Sequence, residues 1–310
     1  MKIIVTGNAG FIGSRLTTRL LSAGHTVIGI DNFNSEIYDK SFKLNYTKQL
    51  SSFAEFSQFE GDIQDYTNFG DDDIDTIIHL AGYANVRLSF IEPEKYVRNN
   101  VETTARILRT MNCRTRFIYA SSSSVYGVNT TVPFDETQEL LNIISPYAQT
   151  KKMCEDLTGM YCRMKQINAI GLRFFTVYGR PDMAVYKFIQ NIEHETPITV
   201  FGDGTMMRDF TYIDDIINGI YNCLFVDMEK GMHKIYNLGN NKPVSLNQLI
   251  SHIEVITGKK AIINYVGIPR GEVPITYANI DKATKELGFN PRVEIEQGLR
   301  LLYDSIIKKE

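Results

Sequence analysis

Metal-binding and disulfide patterns are missing from this chain of 310 residues. Its four cysteines, Cys113, Cys154, Cys162 and Cys223, form no Cys-x-x-Cys pair. Its five histidines, His25, His79, His194, His233 and His252, neither cluster nor pair as His-x-x-x-His. A structural metal or a disulfide framework is therefore not expected, and no site is assigned to a metal. An excess of charge of one sign is lacking too. The formal net charge of −3 gives no reason to expect a nucleic acid or an anionic membrane as partner. Every apolar run is short and broken by Gly, Asp or Asn, so none is expected to span a bilayer. The N-terminus has neither the basic segment nor the apolar core of a signal peptide. Repeats, low-complexity tracts and long charge runs are absent as well. With 43% hydrophobic and 22% charged residues, what is left is the composition of a globular protein. Unpaired thiols lead us to expect a cytoplasmic setting.

What is present is concentrated first in the opening thirteen residues. Lys2 to Thr6 reads as a buried strand, Gly7-Asn8-Ala9-Gly10-Phe11-Ile12-Gly13 as a tight turn, and Ser14 to Ala23 as a helix. Strand, glycine turn and helix N-terminus together make an anion site, because the backbone can approach phosphates closely and the first-turn amides point at the charge. The spacing is G-x-x-G-x-x-G. A second strand, Val27 to Ile30, ends in Asp31, where a carboxylate would accept hydrogen bonds from an adenosine ribose. The same carboxylate would repel a 2′-phosphate, which favours NAD over NADP.

Strand-like and helix-like segments go on alternating. Strands are expected at 56–63, 74–82, 116–120 and 168–173, and helices at 93–110 and 147–164. Repeated βα units argue for an α/β fold, a Rossmann-type doubly wound parallel sheet covered on both faces. Ligands of such sheets bind beyond the carboxyl ends of the strands. From about Phe174 the pattern loosens into short strands such as Ile198 to Phe201 and helices at 213–225, 246–257 and 295–307. We expect residues 1–173 to form a dinucleotide-binding domain, with a stretch of about 210–238 returning to it. Residues 174–310 are expected to form mainly a smaller α/β substrate domain.

Tyr147 and Lys151 carry the chemistry. Four residues apart on a helix, they share one face. A nearby ammonium favours the phenolate, and a tyrosine so tuned can remove a hydroxyl proton. The run Ser121 to Ser124 closes a strand, where a short hydroxyl can position a reacting oxygen. The alternatives are a helix-surface pair and a polar turn.

These residues, with Asp62-Ile63, Leu80-Ala81-Gly82, Asn99, Ser121 to Gly127 and Arg173-Phe174-Phe175, resemble the extended short-chain dehydrogenase/reductases. They are similar, more narrowly, to the NAD-dependent nucleotide-sugar epimerases. Met207 to Asp215 and Gly271-Glu272-Val273-Pro274 extend the likeness over essentially the whole chain. The resemblance implies NAD as cofactor. Gly7, Gly10 and Gly13, with Phe11 and Ile12 of the same turn, would cradle its pyrophosphate. Asp31 and Asn32 would hold the adenosine ribose, Asp62 and Ile63 the adenine, and Leu80, Ala81, Gly82 and Asn99 would line the remainder. Tyr147 is implied as base, Lys151 as its helper and holder of the nicotinamide ribose, and Ser122 as the catalytic hydroxyl.

The reaction is narrowed by the same likeness. Sugar dehydratases carry an acidic pair before the Val-Tyr-Gly run and related decarboxylases a Glu. This chain has Ser123-Ser124-Val125-Tyr126-Gly127, so oxidation and re-reduction at C4 is favoured. Arg180 to Ala184, Met207 to Asp215 and Gly82 to Arg87 resemble the UDP-glucuronate 4-epimerases. The resemblance implies a UDP-sugar substrate met by Arg87, Ser122, Ser123, Ser124, Tyr147, Thr176, Arg180, Val200, Phe201, Arg208 and Glu272. Arg208 would take the diphosphate, Glu272 the uridine ribose, and Arg87 or Arg180 a sugar carboxylate or a phosphate. The loop before Arg180 is shorter than the family's, and Arg270 sits one position from the expected diphosphate arginine. The reading is UDP-glucuronate/UDP-galacturonate interconversion. A UDP-glucose/UDP-galactose or N-acetylhexosamine 4-epimerase, a UDP-glucuronate decarboxylase and a non-catalytic dinucleotide-binding regulator are the alternatives. The family further implies a homodimer.

Overall fold

The computed structural model describes residues 1–36, 39–129, 131–180 and 183–307. Its first elements are β1 (Lys2–Thr6), α1 (Phe11–Ser22), β2 (Thr26–Asp31), α2 (Lys40–Leu50), β3 (Phe56–Glu60) and β4 (Thr76–His79). There follow α3 (Val86–Ile91), α4 (Pro93–Tyr96), α5 (Thr103–Thr110), β5 (Arg116–Ser122), α6 (Pro146–Lys165) and β6 (Ala169–Phe174). Next come β7 (Thr176–Tyr178), α7 (Ala184–Glu193), β8 (Ile198–Phe201), β9 (Met207–Tyr212), α8 (Ile213–Asn222) and β10 (His233–Leu238). The chain closes with β11 (Pro243–Ser245), α9 (Leu246–Thr257), β12 (Ile263–Val266), α10 (Asp281–Leu287) and α11 (Ile295–Ile307).

Seven strands form the main sheet, in the order β10-β6-β5-β4-β1-β2-β3. β1 pairs in parallel with β2 on one side and β4 on the other, Ile3 facing Val27 and Thr76. The order therefore reverses at β1, which puts the switch point of the sheet at the end of the glycine turn. Ile3, Ile4, Val5, Ile77, Ile78, Phe117 and Ile118 are all fully buried. Such unbroken apolar strands are what a sheet covered on both faces requires. Among the described residues no helix is long and apolar enough to cross a membrane.

The chain divides into two compact units. The first comprises Met1–Gly127, Glu139–Arg173 and Ile217–Tyr236. The second comprises Val128–Gln138, Phe174–Ile216 and Asn237–Glu310. In the second, β7 runs parallel to β9 and β11 antiparallel to it, while β8 and β12 form a parallel pair. Its core includes Ile189, Ile198, Val200, Leu249, Ile253 and Leu299.

Two expected helices are built differently from a plain reading. The stretch Pro93 to Thr110 is α4 and α5 joined by a π-helical turn, Val97–Glu102, which carries the buried Asn100. π turns gather at functional sites because they re-aim a side chain out of the regular helical row. The helix expected at 213–225 stops at Asn222 and closes with a 3₁₀ turn, Cys223–Phe225. Arg116 caps that end, donating to the carbonyls of Cys223, Leu224 and Val226.

Candidate functional site

In the first unit the glycine turn is compressed to the limit that glycine allows. Gly7 has φ +72°, and a Cβ there would lie 2.7 Å from Ala81 N. A Cβ at Gly13 would lie 2.0 Å from Gly7 O. Gly10 caps α1, whose first turn has no acidic residue to compete for an anion. Phe11 is buried and Ile12 half-buried. Leu80 and Ala81 are tied to the turn through β1: Leu80 N donates to Thr6 O and Ala81 N to Thr6 Oγ1. Thr6 Oγ1 is 2.7 Å from His79 Nδ1, and burial, helped by the Lys151 charge, pushes the His79 pKa down to about 3. His79 is thus neutral near pH 7.

At the end of β2, Asp31 Oδ1 accepts hydrogen bonds from Phe33 N at 2.8 Å and from Lys43 Nζ at 3.0 Å. Asn32 is exposed and its amide donates to Asp62 Oδ2 at 3.4 Å. Ile63 is buried in the apolar core beside Tyr66 and Phe69.

The catalytic candidates sit on the first two turns of α6. Ser145 caps the helix by accepting from Ala148 N, and Pro146 fits its first position, where no N–H is needed. Tyr147 and Lys151 are each 7% exposed on the inward face. Lys151 Nζ donates to Ala120 O at 2.9 Å, and its burial lowers its pKa. Tyr147 meets the ring of Tyr96 edge-on at 6.2 Å, and Tyr96 meets Tyr83 likewise at 5.6 Å. Tyr83 in turn donates to Glu36 Oε2 at 2.6 Å.

The serine run divides its labour. Ser121 Oγ donates to Glu155 Oε1 at 2.6 Å, so this hydroxyl is committed to the protein. Ser122 Oγ donates to Ser124 Oγ at 3.1 Å and accepts from Ser124 N at 3.2 Å. Ser123 and Ser124 lie half-buried on the 3₁₀ turn that follows.

Several residues of this site escaped the sequence reading. Glu155 continues the face of Tyr147 and Lys151 one turn further, a spacing that could have flagged it. It pairs with Arg173 through bonds of 2.9 and 2.8 Å, and Arg173 also donates to Tyr126 OH at 2.9 Å. Asn100 is the residue that the π turn brings beside Gly82: a Cβ on Gly82 would lie 2.8 Å from Asn100 Oδ1 and 3.5 Å from Lys151 Nζ. Asn100 also bonds both backbone groups of Tyr83 and the hydroxyl of Thr150. Asn99, its neighbour, donates its side-chain amide to Lys95 O one turn back. Arg87 is exposed in the first turn of α3.

In the second unit, Arg208 on β9 and Glu272 form an ion pair at 2.8 Å, both partly exposed. Arg208 also donates to Met207 O. Thr176 opens β7 opposite Phe210, and Arg180 is buried at 4% exposure. Pro181 and Asp182, which belong to the matching motif, lie outside the described residues. Arg270 is exposed. Strand alternation turns Val200 inward with Ile198, and its side chain is fully buried in the core, which leaves its backbone as the part that could meet a ligand. Phe201 is half-buried. Among the described residues, no group of His, Cys, Asp and Glu could hold a metal ion.

Comparisons with known proteins extend these observations. Residues 3–239 match the model of the NAD dependent epimerase/dehydratase family. A UDP-glucuronate 4-epimerase of Thermodesulfobacterium geofontis is 39% identical over 307 residues, covering 96% of this chain and 93% of the relative. UDP-glucuronate 4-epimerase 1 of Arabidopsis thaliana is 38% identical over 324 residues, covering 97% of this chain and 75% of the relative. The crystal structure of a UDP-glucuronic acid 4-epimerase from Bacillus cereus, in complex with UDP-glucuronic acid and NAD, superposes with a TM-score of 0.92. It is 36% identical and the match covers 100% of both chains. A parallel sheet reversing at a glycine turn, a buried Tyr-Lys pair and a family match over most of the length agree: the chain belongs to the NAD-dependent epimerase/dehydratase family.

Proposed function

We propose that this protein is a UDP-sugar 4-epimerase that interconverts UDP-glucuronate and UDP-galacturonate. One observation carries the reading. Tyr147 and Lys151 share a buried helix face, next to a strand end that offers the Ser122 hydroxyl, while the carboxylate on that face, Glu155, is already held by Arg173 and Ser121. That set can move a proton at a carbinol oxygen and has no second acid for elimination.

The first unit fits NAD. Its turn leaves no room for a Cβ at Gly7 or Gly13, and Asp31 keeps one carboxylate oxygen without a partner among the described residues. Gly7, Gly10 and Gly13 would hold the pyrophosphate, Asp31 the adenosine ribose, and Lys151 the nicotinamide ribose. When bound, NAD supplies reversible two-electron acceptance at the sugar C4. Tyr147 takes the C4 hydroxyl proton and later returns it, Ser122 orients that oxygen, and the Lys151 ammonium favours the phenolate. In the second unit, Arg208 is assigned to the diphosphate and Glu272 to the uridine ribose, which requires a ligand to divide the pair they now make with each other. Thr176 and Arg180 are assigned to the sugar carboxylate, since a 4-keto uronate is a β-keto acid that loses carbon dioxide unless its carboxylate is restrained.

We also propose a homodimer in the cytoplasm. Met153, Met160 and Met164 on α6 and Ile91 and Val97 near α4 leave 41–76% of their surface exposed, which supports pairing of this face with a second copy. All four cysteines are free, which supports a reducing compartment. The deciding experiment is incubation with UDP-glucuronate, without added reductant, with every nucleotide-sugar product resolved. UDP-galacturonate without carbon dioxide is the expected result. UDP-xylose would overturn the reaction, and turnover of UDP-glucose alone would overturn the uronate assignment.

A further inference from the structure

The acid assigned to the adenosine ribose is not a lone charge. Asp31 and Lys43 meet at 3.0 Å with side-chain exposures of only 6% and 10%. Oδ1 of Asp31 takes both Lys43 Nζ and Phe33 N, whereas Oδ2 has no hydrogen bond among the described residues. The lysine arrives from α2, where it and Leu50, two turns on, are the buried residues. An amphipathic helix ordinarily places an apolar group there, and lysine is almost never buried unless paired.

We propose that Lys43 is a specificity-determining residue of the cofactor site. It holds the carboxylate with Oδ2 left for a ribose, and it keeps in reserve the cation that a 2′-phosphate would need. This rests on the assignment of Asp31 to the adenosine ribose. Discrimination against NADP then comes from the Asp31 carboxylate, and the Lys43 ammonium paired with it sets how strong that discrimination is. With the carboxylate removed, the ammonium has no other charge partner among the described residues and becomes a phosphate donor on a flexible stem.

The test is the dissociation constants of the full-length protein for NAD and for NADP, by calorimetry, in four forms: wild type, Asp31→Ser, Lys43→Met and the double variant. Asp31→Ser is expected to weaken NAD and to raise the NADP/NAD affinity ratio by about 10- to 100-fold, the worth of a charge-assisted hydrogen bond. The double variant is expected to lose that gain. Equal ratios in Asp31→Ser and the double variant would overturn the proposal while leaving the ribose assignment intact. Unchanged NAD affinity in Asp31→Ser would remove the ribose assignment and the proposal with it. Lys43→Met gives a separate reading should Asp31→Ser not fold. Its bare carboxylate should depress NADP binding about tenfold more than NAD binding, and equal losses would overturn the proposal.

Discussion

Replacing Glu155 by leucine isolates the interaction that holds the serine-bearing strand end against the catalytic helix. Glu155 is 6% and Arg173 4% exposed, and the two meet through paired bonds of 2.9 and 2.8 Å. The leucine leaves a buried guanidinium with Tyr126 OH as its remaining side-chain acceptor at 2.9 Å. Its ring contact at 4.8 Å also remains. Breaking one partner of such a buried pair costs about 3–5 kcal/mol, and Ser121 Oγ loses its 2.6 Å acceptor as well. Replacing both charges by apolar residues of similar size, as in Glu155→Leu/Arg173→Met, removes the orphaned charge and should cost less than either single change. Urea unfolding of the two single variants and the double variant closes a thermodynamic cycle. A coupling energy of about 2 kcal/mol or more is expected, and additivity within about 0.5 kcal/mol would refute the reasoning. Because Ser122 adjoins Ser121, the single variant should lose kcat while KM for the nucleotide sugar moves little. A loss confined to KM would mean that this network does not position the catalytic hydroxyl.

Three further outcomes follow from the site. Tyr147→Phe should lower kcat by about 10²- to 10⁴-fold, as removal of a positioned proton carrier does, with NAD affinity retained; near-wild-type turnover would remove Tyr147 as the base. Gly13→Ala forces a Cβ to within 2.0 Å of Gly7 O, so the purified variant should lose most of its NAD and unfold at least about 1–3 kcal/mol more easily. Burial pushes His233 down to about 4 and His79 down to about 3, so both are neutral in the folded chain and protonate more readily unfolded. Their stabilising contribution is complete above the unfolded value of about 6.5 and is lost as pH falls toward 4 and 3. Each adds a slope of about 1.4 kcal/mol per pH unit in that window, so His233→Gln should flatten the acid limb of the stability profile by that amount.

Much of this protein was determined by the order of its residues alone, because the physics concerned is local. The glycine turn at 7–13 needs only backbone freedom between a strand and a helix, and the Tyr147–Lys151 face needs only the pitch of one helix. Apolar runs such as Ile3-Ile4-Val5 announce a strand buried on both sides wherever it goes. What the order of residues did not decide is which distant groups meet. Lys43 on Asp31, Arg173 on Glu155 and Asn100 on Gly82 join segments 12, 18 and 18 positions apart. Asn99 and Asn100 are identical in type, and only a π turn tells the helix which of them faces Gly82. Val200 and Phe201 are likewise neighbours until β8 pairs with β12 and alternation sends one into the core. The tertiary structure decided these because a buried charge or amide takes whichever partner the packed elements bring within about 3 Å, and the cost of leaving it unpaired then holds those elements in place.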